Sequence, residues 1–312
     1  MPSKFKIAIL GIGAVGGYYG GKLAAKYSAS DELEAVLIAR GENAQAIESN
    51  GLKLITPEDE QIIHPTLVSN EPERIGPIDL LLCCVKSYDR DSSLLRLAPC
   101  ITDSTIILPV INGIDNSEKI RQLYPHSEVW EGCVYIVSRL IAPGVVHVTG
   151  KNILIHFGSE NGSKQQLERV HALFKSATIN ANLASDIKQR MWEKFLFVSP
   201  FATVTSYLDL SISEILSNPQ HVKLFVTLLE ELLAITNANG ISFPADFTQN
   251  ILERMKALPP GTTSSMHTDF QKGKQTELQS LTGHVVQLGK ECNIPTPYYT
   301  MMLHSLKEKS KG

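Results

Sequence analysis

The feature that most constrains this chain is a glycine-rich turn close to its N-terminus. Residues 11–16 read Gly-Ile-Gly-Ala-Val-Gly and separate an apolar run ending at Leu10 from a stretch with helical spacing over Gly17–Tyr27. Between a strand and a helix, the first glycine permits a tight turn, the second lets the backbone approach a pyrophosphate, and the third allows close helix packing. The helix N-terminus then faces the anion. The predicted cofactor-binding residues are Gly11, Ile12, Gly13, Ala14, Val15 and Gly16; a glycine-rich turn without a ligand is the alternative.

Further apolar runs follow the turn and change character near residue 184. Runs at 34–39, 78–85 and 105–111 alternate with helical segments or loops, and fully apolar strands joined by crossovers indicate a parallel sheet covered on both faces. Beyond Ala184 the 3.6-residue period dominates. We therefore predict an α/β chain, with an N-terminal Rossmann-like doubly wound sheet followed by a mainly α-helical C-terminal domain. The predicted domains are residues 1–184 and 185–312, and the predicted helices cover residues 186–207, 219–239, 244–258 and 276–292.

Composition excludes several classes of function. With 29 basic and 32 acidic residues, the formal net charge of -3 is too balanced for a nucleic-acid-binding surface. The longest apolar runs are far shorter than the roughly 20 residues that cross a bilayer, and no signal-like segment is seen at the N-terminus, so we expect a cytoplasmic protein without membrane contact. The five cysteines are odd in number and lack Cys-x-x-Cys spacing, so no disulfide framework and no metal site are predicted.

The end of the second predicted strand bears on the choice of cofactor. An acidic residue at this point usually binds the ribose 2′-hydroxyl of NAD, but the sequence here reads Ile-Ala-Arg-Gly over residues 38–41. The guanidinium of Arg40 is a planar set of donors suited to a 2′-phosphate. The sequence thus favours NADPH as cofactor, and a surface arginine without a ligand remains the alternative.

Three polar residues lie next to or within apolar stretches of the sequence. Lys86 and Asn112 each follow an apolar run predicted to be a strand, and ligands in open parallel sheets bind outside the carboxyl ends of the strands. Lys194 interrupts an otherwise apolar helix face. Strand ends commonly carry polar residues, and a lysine stem can lie along apolar surface with its amine in water, so each residue also has a purely structural interpretation.

A loop rich in hydroxyl groups, residues 262–265, enters the last helical part of the chain, and helix capping is its simplest interpretation. Taken with the earlier motifs, however, it completes a pattern that resembles the ketopantoate reductase (2-dehydropantoate 2-reductase) family over almost the whole chain. In chain order the pattern consists of the glycine turn, Arg40, Val85-Lys86, Asn112-Gly113, Trp192-Glu193-Lys194, Ser264-Ser265-Met266, Asp269 and Glu277.

The resemblance implies both a fold and an activity. The family's fold is a Rossmann domain and a helical domain with the active site in the cleft between them. By the likeness, Lys194 and Glu277 match catalytic residues, Ser265 a substrate contact, and Asn112 and Lys86 residues near nicotinamide and substrate. The implied reaction is NADPH-dependent reduction of a 2-oxo acid to a 2-hydroxy acid, ketopantoate to pantoate in pantothenate biosynthesis.

The chain departs from the family at two positions. Four and eight residues beyond the lysine the family commonly has asparagines that hold the substrate, but Val198 and Ala202 stand here. Ser199 and Thr203 lie about 100° further round the helix and are not assumed to substitute. Two alternatives therefore stay open, a reductase of a less polar carbonyl compound and an NADPH-binding regulator without turnover. A homodimer is possible through the apolar residues of 224–235.

Overall fold

The computed structural model describes residues 4–150 and 152–310, so residues 1–3, 151 and 311–312 of the two predicted domains lie outside the described part. The chain divides into two compact units. Residues 1–111 and 115–190 form the first unit, and residues 112–114 and 191–312 form the second. The predicted boundary at 184/185 stays a prediction.

The bounds of the elements follow in chain order. The strands are β1 (Phe5–Leu10), β2 (Leu33–Ile38), β3 (Leu52–Ile55), β4 (Glu60–Ile63), β5 (Leu67–Val68), β6 (Leu80–Cys83), β7 (Ile106–Pro109), β8 (Glu128–Val129), β9 (Glu131–Tyr135), β10 (Ser138–Ala142), β11 (Val145–Val148), β12 (Leu154–Gly158) and β13 (Ala181–Leu183). The helices are α1 (Ala14–Tyr27), α2 (Gly41–Asn50), α3 (Pro72–Ile75), α4 (Arg90–Arg96), α5 (Asn116–Leu123), α6 (Lys164–Ser176), α7 (Ile187–Leu208), α8 (Ile212–Leu216), α9 (Pro219–Ala238), α10 (Phe247–Lys256), α11 (Ser265–Gln271), α12 (His284–Glu291) and α13 (Pro297–Lys309).

The main sheet of the first unit is parallel, with strand order β5-β2-β1-β6-β7-β8. Strands β3 and β4 belong to another sheet. When the six strands of the main sheet are numbered by themselves along the chain, their order is 3-2-1-4-5-6, which is the arrangement of a dinucleotide-binding Rossmann sheet. All residues of β6 and β7 are buried, as expected for strands covered on both faces. The order reverses between β1 and β6, and ligands of such sheets bind outside the carboxyl ends of the strands at that reversal. The predicted fold class is confirmed.

The sequence of residues 132–149, interrupted by the turn residues Pro143-Gly144, predicts one hairpin, but in the structure this region divides between two smaller sheets. Strands β10 and β11 pair antiparallel around the turn at Pro143-Gly144, as expected from these turn residues. Strand β9 instead pairs with β12, which also pairs with β13. The first third of the predicted hairpin was therefore wrong. The buried residues of β9 pair with those of β12. Strands β10 and β11 lie between these two strands in sequence, so no local pattern indicates the pairing.

The second unit is helical and has its own apolar core. The four predicted helices correspond to α7, α9, α10 and a helical segment that ends with α12. The spacing of Ser211 and Glu214 predicts a capping box, and this box is formed at α8. Helix α13, which the sequence pattern does not single out, adds Tyr299, Met302 and Leu306 to the core. None of the helices in residues 4–150 and 152–310 has both the length and the apolar composition needed to cross a bilayer.

Candidate active site

The glycine turn follows β1 at the reversal point of the sheet. Gly11 has φ of +91°, a left-handed conformation that favours glycine, and a Cβ there would lie 2.6 Å from Cγ1 of Val85. A Cβ on Gly16 would collide with the carbonyl oxygen of Gly11. These two glycines therefore allow the turn to pack tightly against the end of β6. Their spacing predicts this tight packing.

Gly13 differs from its neighbours because the space above it is open. A Cβ on Gly13 would have no atom within 4 Å among the described residues. Gly13 is also the N-cap of α1, where the first N–H groups of a helix have no intrahelical acceptor and the helix dipole favours an anion. The turn thus offers an approachable backbone and free donors at one place, as the pyrophosphate of a dinucleotide requires, so Gly11–Gly16 fit such a cofactor.

Asn43 holds the glycine turn in place, a role that the sequence does not indicate. Its side-chain amide donates to the carbonyl oxygen of Ile12 over 2.6 Å, and its side-chain oxygen accepts from the backbone N–H of Gly144 over 2.7 Å. The partners lie 31 and 101 residues away in sequence. No local motif can signal such a bridge.

Arg40 follows β2 and is the N-cap of α2, with about half of its side chain exposed. Its guanidinium nitrogen lies 3.8 Å from a carboxylate oxygen of Asp89. Asp89 ends the short 3-10 turn Ser87–Asp89, which begins directly after Lys86. The first unit thus contains the predicted residues Arg40 and Lys86, together with Asp89, which no sequence motif indicates.

Lys194 lies in the first half of α7, half-buried, and its ammonium donates to the side-chain oxygen of Asn112 over 2.9 Å. The two residues are 82 positions apart in sequence, and both belong to the second unit. Gly113, next to Asn112, has φ of +107°, so the backbone turns sharply directly after the amide. The structure therefore brings together a cation and an amide that the sequence singled out separately.

The face of α7 beyond Lys194 is apolar. Val198 is half-buried and Ala202 is 1% exposed, at four and eight residues from the lysine. Residues at these spacings share one face of a helix. Ser199 and Thr203, the nearest polar residues, point elsewhere: both are fully buried, Ser199 against Leu281 and Tyr299 and Thr203 against Thr282. They do not replace the amides missing from the Lys194 face.

Leu281 and Thr282, the partners of Ser199 and Thr203, belong to a π-helical turn, Gln279–Gly283, that precedes α12, whereas Tyr299 belongs to α13. A π turn shifts the hydrogen-bond register of a helix, so a carbonyl group in it can accept from a side chain of another helix. Ser199 donates to the carbonyl oxygen of Leu281 over 2.7 Å, and its oxygen lies 2.8 Å from the hydroxyl of Tyr299. Burial raises the pKa of Tyr299 well above its ordinary value, so this phenol stays protonated and able to donate.

We expect Ser199→Ala to lower the free energy of unfolding by about 1–3 kcal/mol, because the Leu281 carbonyl and the Tyr299 hydroxyl would lose a buried partner. Urea unfolding of the purified protein measures the change. Ser217→Ala is the matched control, since Ser217 makes a similar bond to the Glu214 carbonyl at an exposed position; its cost should stay within about 0.5 kcal/mol. Equal stability of the two variants would contradict the role assigned to Ser199.

The remaining predicted residues lie in the second unit. Ser264 is the N-cap of α11 and accepts from the backbone N–H of His267 over 3.0 Å, so the capping interpretation of the hydroxyl-rich loop is correct for this residue. Ser265, the first residue of α11, is exposed. Glu277 precedes the π turn and is 3% exposed. Single π turns within helices are frequent at functional sites, and Glu277 lies just before this one.

Comparison with known proteins identifies relatives over nearly the full chain. Residues 7–162 match the family model described as ketopantoate reductase PanE/ApbA, and residues 186–310 match that of its C-terminal domain. A 2-dehydropantoate 2-reductase of Pyrococcus abyssi is 28% identical over 307 residues, 97% of each chain. The crystal structure of 2-dehydropantoate 2-reductase from Porphyromonas gingivalis is 32% identical with a TM-score of 0.84, covering 97% of this chain and 99% of that one.

A further solved structure shares the fold at lower identity. It is the ternary complex of D-mandelate dehydrogenase with NADH and anilino(oxo)acetate, 21% identical with a TM-score of 0.87, covering 98% of this chain and 99% of that one. The two matched family models together span most of the chain, in the order and with the fold that the sequence indicates. The chain therefore belongs to the ketopantoate reductase family of NAD(P)H-dependent oxidoreductases.

Proposed function

We propose that this enzyme reduces a 2-oxo acid to the corresponding 2-hydroxy acid with NADPH, and that ketopantoate, which would give pantoate, is the first substrate to test. The observation that carries the proposal is the half-buried ammonium of Lys194, held 2.9 Å from the amide oxygen of Asn112. A positioned cation of this kind is what carbonyl reduction requires, because negative charge develops on the carbonyl oxygen. Asn112 orients the ammonium, Glu277 is proposed to act on the lysine or on the substrate, and Ser265 is proposed to contact the substrate.

The bound nicotinamide would supply the hydride that forms the new C–H bond at C2. Lys194 then stabilises the developing alkoxide and transfers one proton to it, which completes the hydroxyl group. An ammonium is a stronger acid than an alcohol, so this transfer is favourable. The reaction consumes one hydride and one proton for each carbonyl reduced, and Lys194 regains its proton from solvent between turnovers.

The test mixes the purified protein with NADPH and ketopantoate and follows the loss of reduced-cofactor absorbance. Turnover supports the reductase. NADPH binding without oxidation across a broad panel of 2-oxo acids and ketones would instead support the alternative of a cofactor-binding regulator.

A less polar carbonyl compound, a 2-oxo acid or a ketone, is the second candidate substrate, and the apolar face formed by Val198 and Ala202 favours it. A site that hydrogen-bonds a substrate hydroxyl discriminates strongly, and this face has no amide to make such bonds. The shared fold of a D-mandelate dehydrogenase, which binds anilino(oxo)acetate, is compatible with this class. A panel of 2-oxo acids separates the candidates: a clear preference for ketopantoate over 2-oxo acids with apolar or aromatic side chains would refute the second.

We propose NADPH over NADH because Arg40 offers donors for a 2′-phosphate. Arg40→Ala is expected to weaken NADPH binding by about 10-fold or more, as loss of a charge-assisted hydrogen bond implies, and to leave NADH binding nearly unchanged. Fluorescence titration of both cofactors measures the effect. An equal loss for both cofactors would contradict the role of Arg40.

Two further expectations are also proposals. The apolar residues of α9 that suggested a homodimer, among them Phe225, Leu228 and Leu232, are fully buried in the core of the second unit. These residues are used by the core, so the homodimer stays a proposal, which light scattering of the purified protein tests.

Cytoplasmic location stays a prediction, tested by fractionating cells that express the protein.

A further inference from the structure

The ion pair between Arg40 and Asp89 bears on how the cofactor is selected. The two side chains are 52% and 43% exposed, and their charged atoms are 3.8 Å apart. Both follow neighbouring parts of the main sheet: Arg40 comes after β2, and Asp89 after β6, with β1 and its glycine turn between these strands. An acidic residue and a basic residue therefore stand together at the edge of the sheet where the dinucleotide is proposed to bind.

The two charges have opposite preferences for the two cofactors. A guanidinium binds a 2′-phosphate, whereas a carboxylate accepts a hydrogen bond from a ribose 2′-hydroxyl and repels a phosphate. Any anion that pairs with Arg40 must come close to Asp89, since the two groups are already in contact. The carboxylate also competes with that anion for the guanidinium, so it weakens the affinity that Arg40 provides.

We propose that Asp89 is a specificity-determining residue, which opposes Arg40 and widens the cofactor choice of this enzyme from NADPH alone to both NADPH and NADH. The proposal rests on the dinucleotide site of the proposed function and adds to it a residue and a second cofactor. In this arrangement Arg40 favours the phosphorylated ribose and Asp89 the unphosphorylated one. The balance between them, and not either residue alone, sets the preference.

The test isolates the 2′ position with two ligands that differ only there, adenosine 2′,5′-bisphosphate and AMP. Isothermal titration of each ligand gives the ratio of their dissociation constants without any substrate or turnover. For Asp89→Asn we expect the bisphosphate to bind about 3- to 10-fold tighter, the size expected for removing one half-exposed like charge. AMP should bind no more tightly than before, so the ratio moves toward the phosphorylated ligand. The same shift should appear with NADPH and NADH.

Asp31→Asn is the matched control. Asp31 is a fully exposed acidic residue of the same unit. It precedes β2, whereas Arg40 follows β2. The length of this six-residue strand, about 20 Å at about 3.3 Å per residue, therefore separates Asp31 from Arg40. This variant changes the net charge equally and should leave the ratio unchanged. Thermal unfolding of each variant checks that it is folded.

The outcomes distinguish the inference from the proposed function. A ratio that Asp89→Asn leaves unchanged, or changes only as much as Asp31→Asn does, would overturn the role of Asp89. Loss of discrimination in Arg40→Ala with no effect of Asp89→Asn would keep the proposed cofactor site and remove only the inference. Failure of every 2-oxo acid as substrate would remove the proposed reaction and leave this binding result intact.

Discussion

Lys194→Ala is expected to lower kcat for 2-oxo acid reduction by about 100-fold or more, the usual cost of losing a general acid. The lysine amine is the group that the structure holds against Asn112. In the proposed mechanism, its loss removes both the positive charge near the reacting oxygen and the proton that completes the product. Cofactor affinity should change little, because the glycine turn and Arg40 are untouched. Stopped-flow or steady-state oxidation of NADPH measures the rate, and fluorescence titration the affinity.

Lys188→Ala is the control for this variant. Lys188 lies on the same helix six residues earlier, exposed and paired with Glu160 over 2.8 Å, so its removal changes the charge of α7 without altering the apolar face. We expect near-normal turnover. Undiminished turnover in Lys194→Ala would remove this residue from the mechanism, whatever the substrate proves to be.

Gly13→Ala is expected to weaken NADPH binding by about 10- to 100-fold while leaving the thermal stability of the protein unchanged. The added methyl group enters open space, so it costs little in the free protein. In the proposed cofactor site it occupies the place where the backbone approaches the pyrophosphate, and losing a charge-assisted hydrogen bond there costs about 1.5–3 kcal/mol. Differential scanning fluorimetry with and without NADPH reports both quantities.

Gly16→Ala provides the contrast. Its methyl group would collide with the carbonyl oxygen of Gly11, which is backbone and cannot move aside cheaply. This variant should therefore lose stability as well as cofactor affinity. Wild-type NADPH affinity in Gly13→Ala would show that the open space above this glycine is not where the cofactor binds.

Much of the fold could be predicted from the sequence because its signals are local. The apolar runs of β1, β2, β6 and β7 and the helical periods of α7, α9 and α10 each lie within a short window. The hairpin of β3 and β4 and the helix α13 were not singled out. The exposed residues of β4 obscure its pattern, and α13 shows its buried face only when packed against the core of the second unit.

By itself the sequence determined the alternation of the main strands and helices, the glycine turn, and several of the polar groups available for chemistry, among them Arg40, Asn112 and Lys194. Steric demands on a turn and the periods of strand and helix are properties of neighbouring residues, so they can be read along the chain. Only the tertiary structure decided which distant groups meet: Asn112 with Lys194, Asp89 with Arg40, Asn43 with the glycine turn, and Ser199 with the π turn. Such contacts depend on packing between elements far apart in sequence, and no local pattern encodes them.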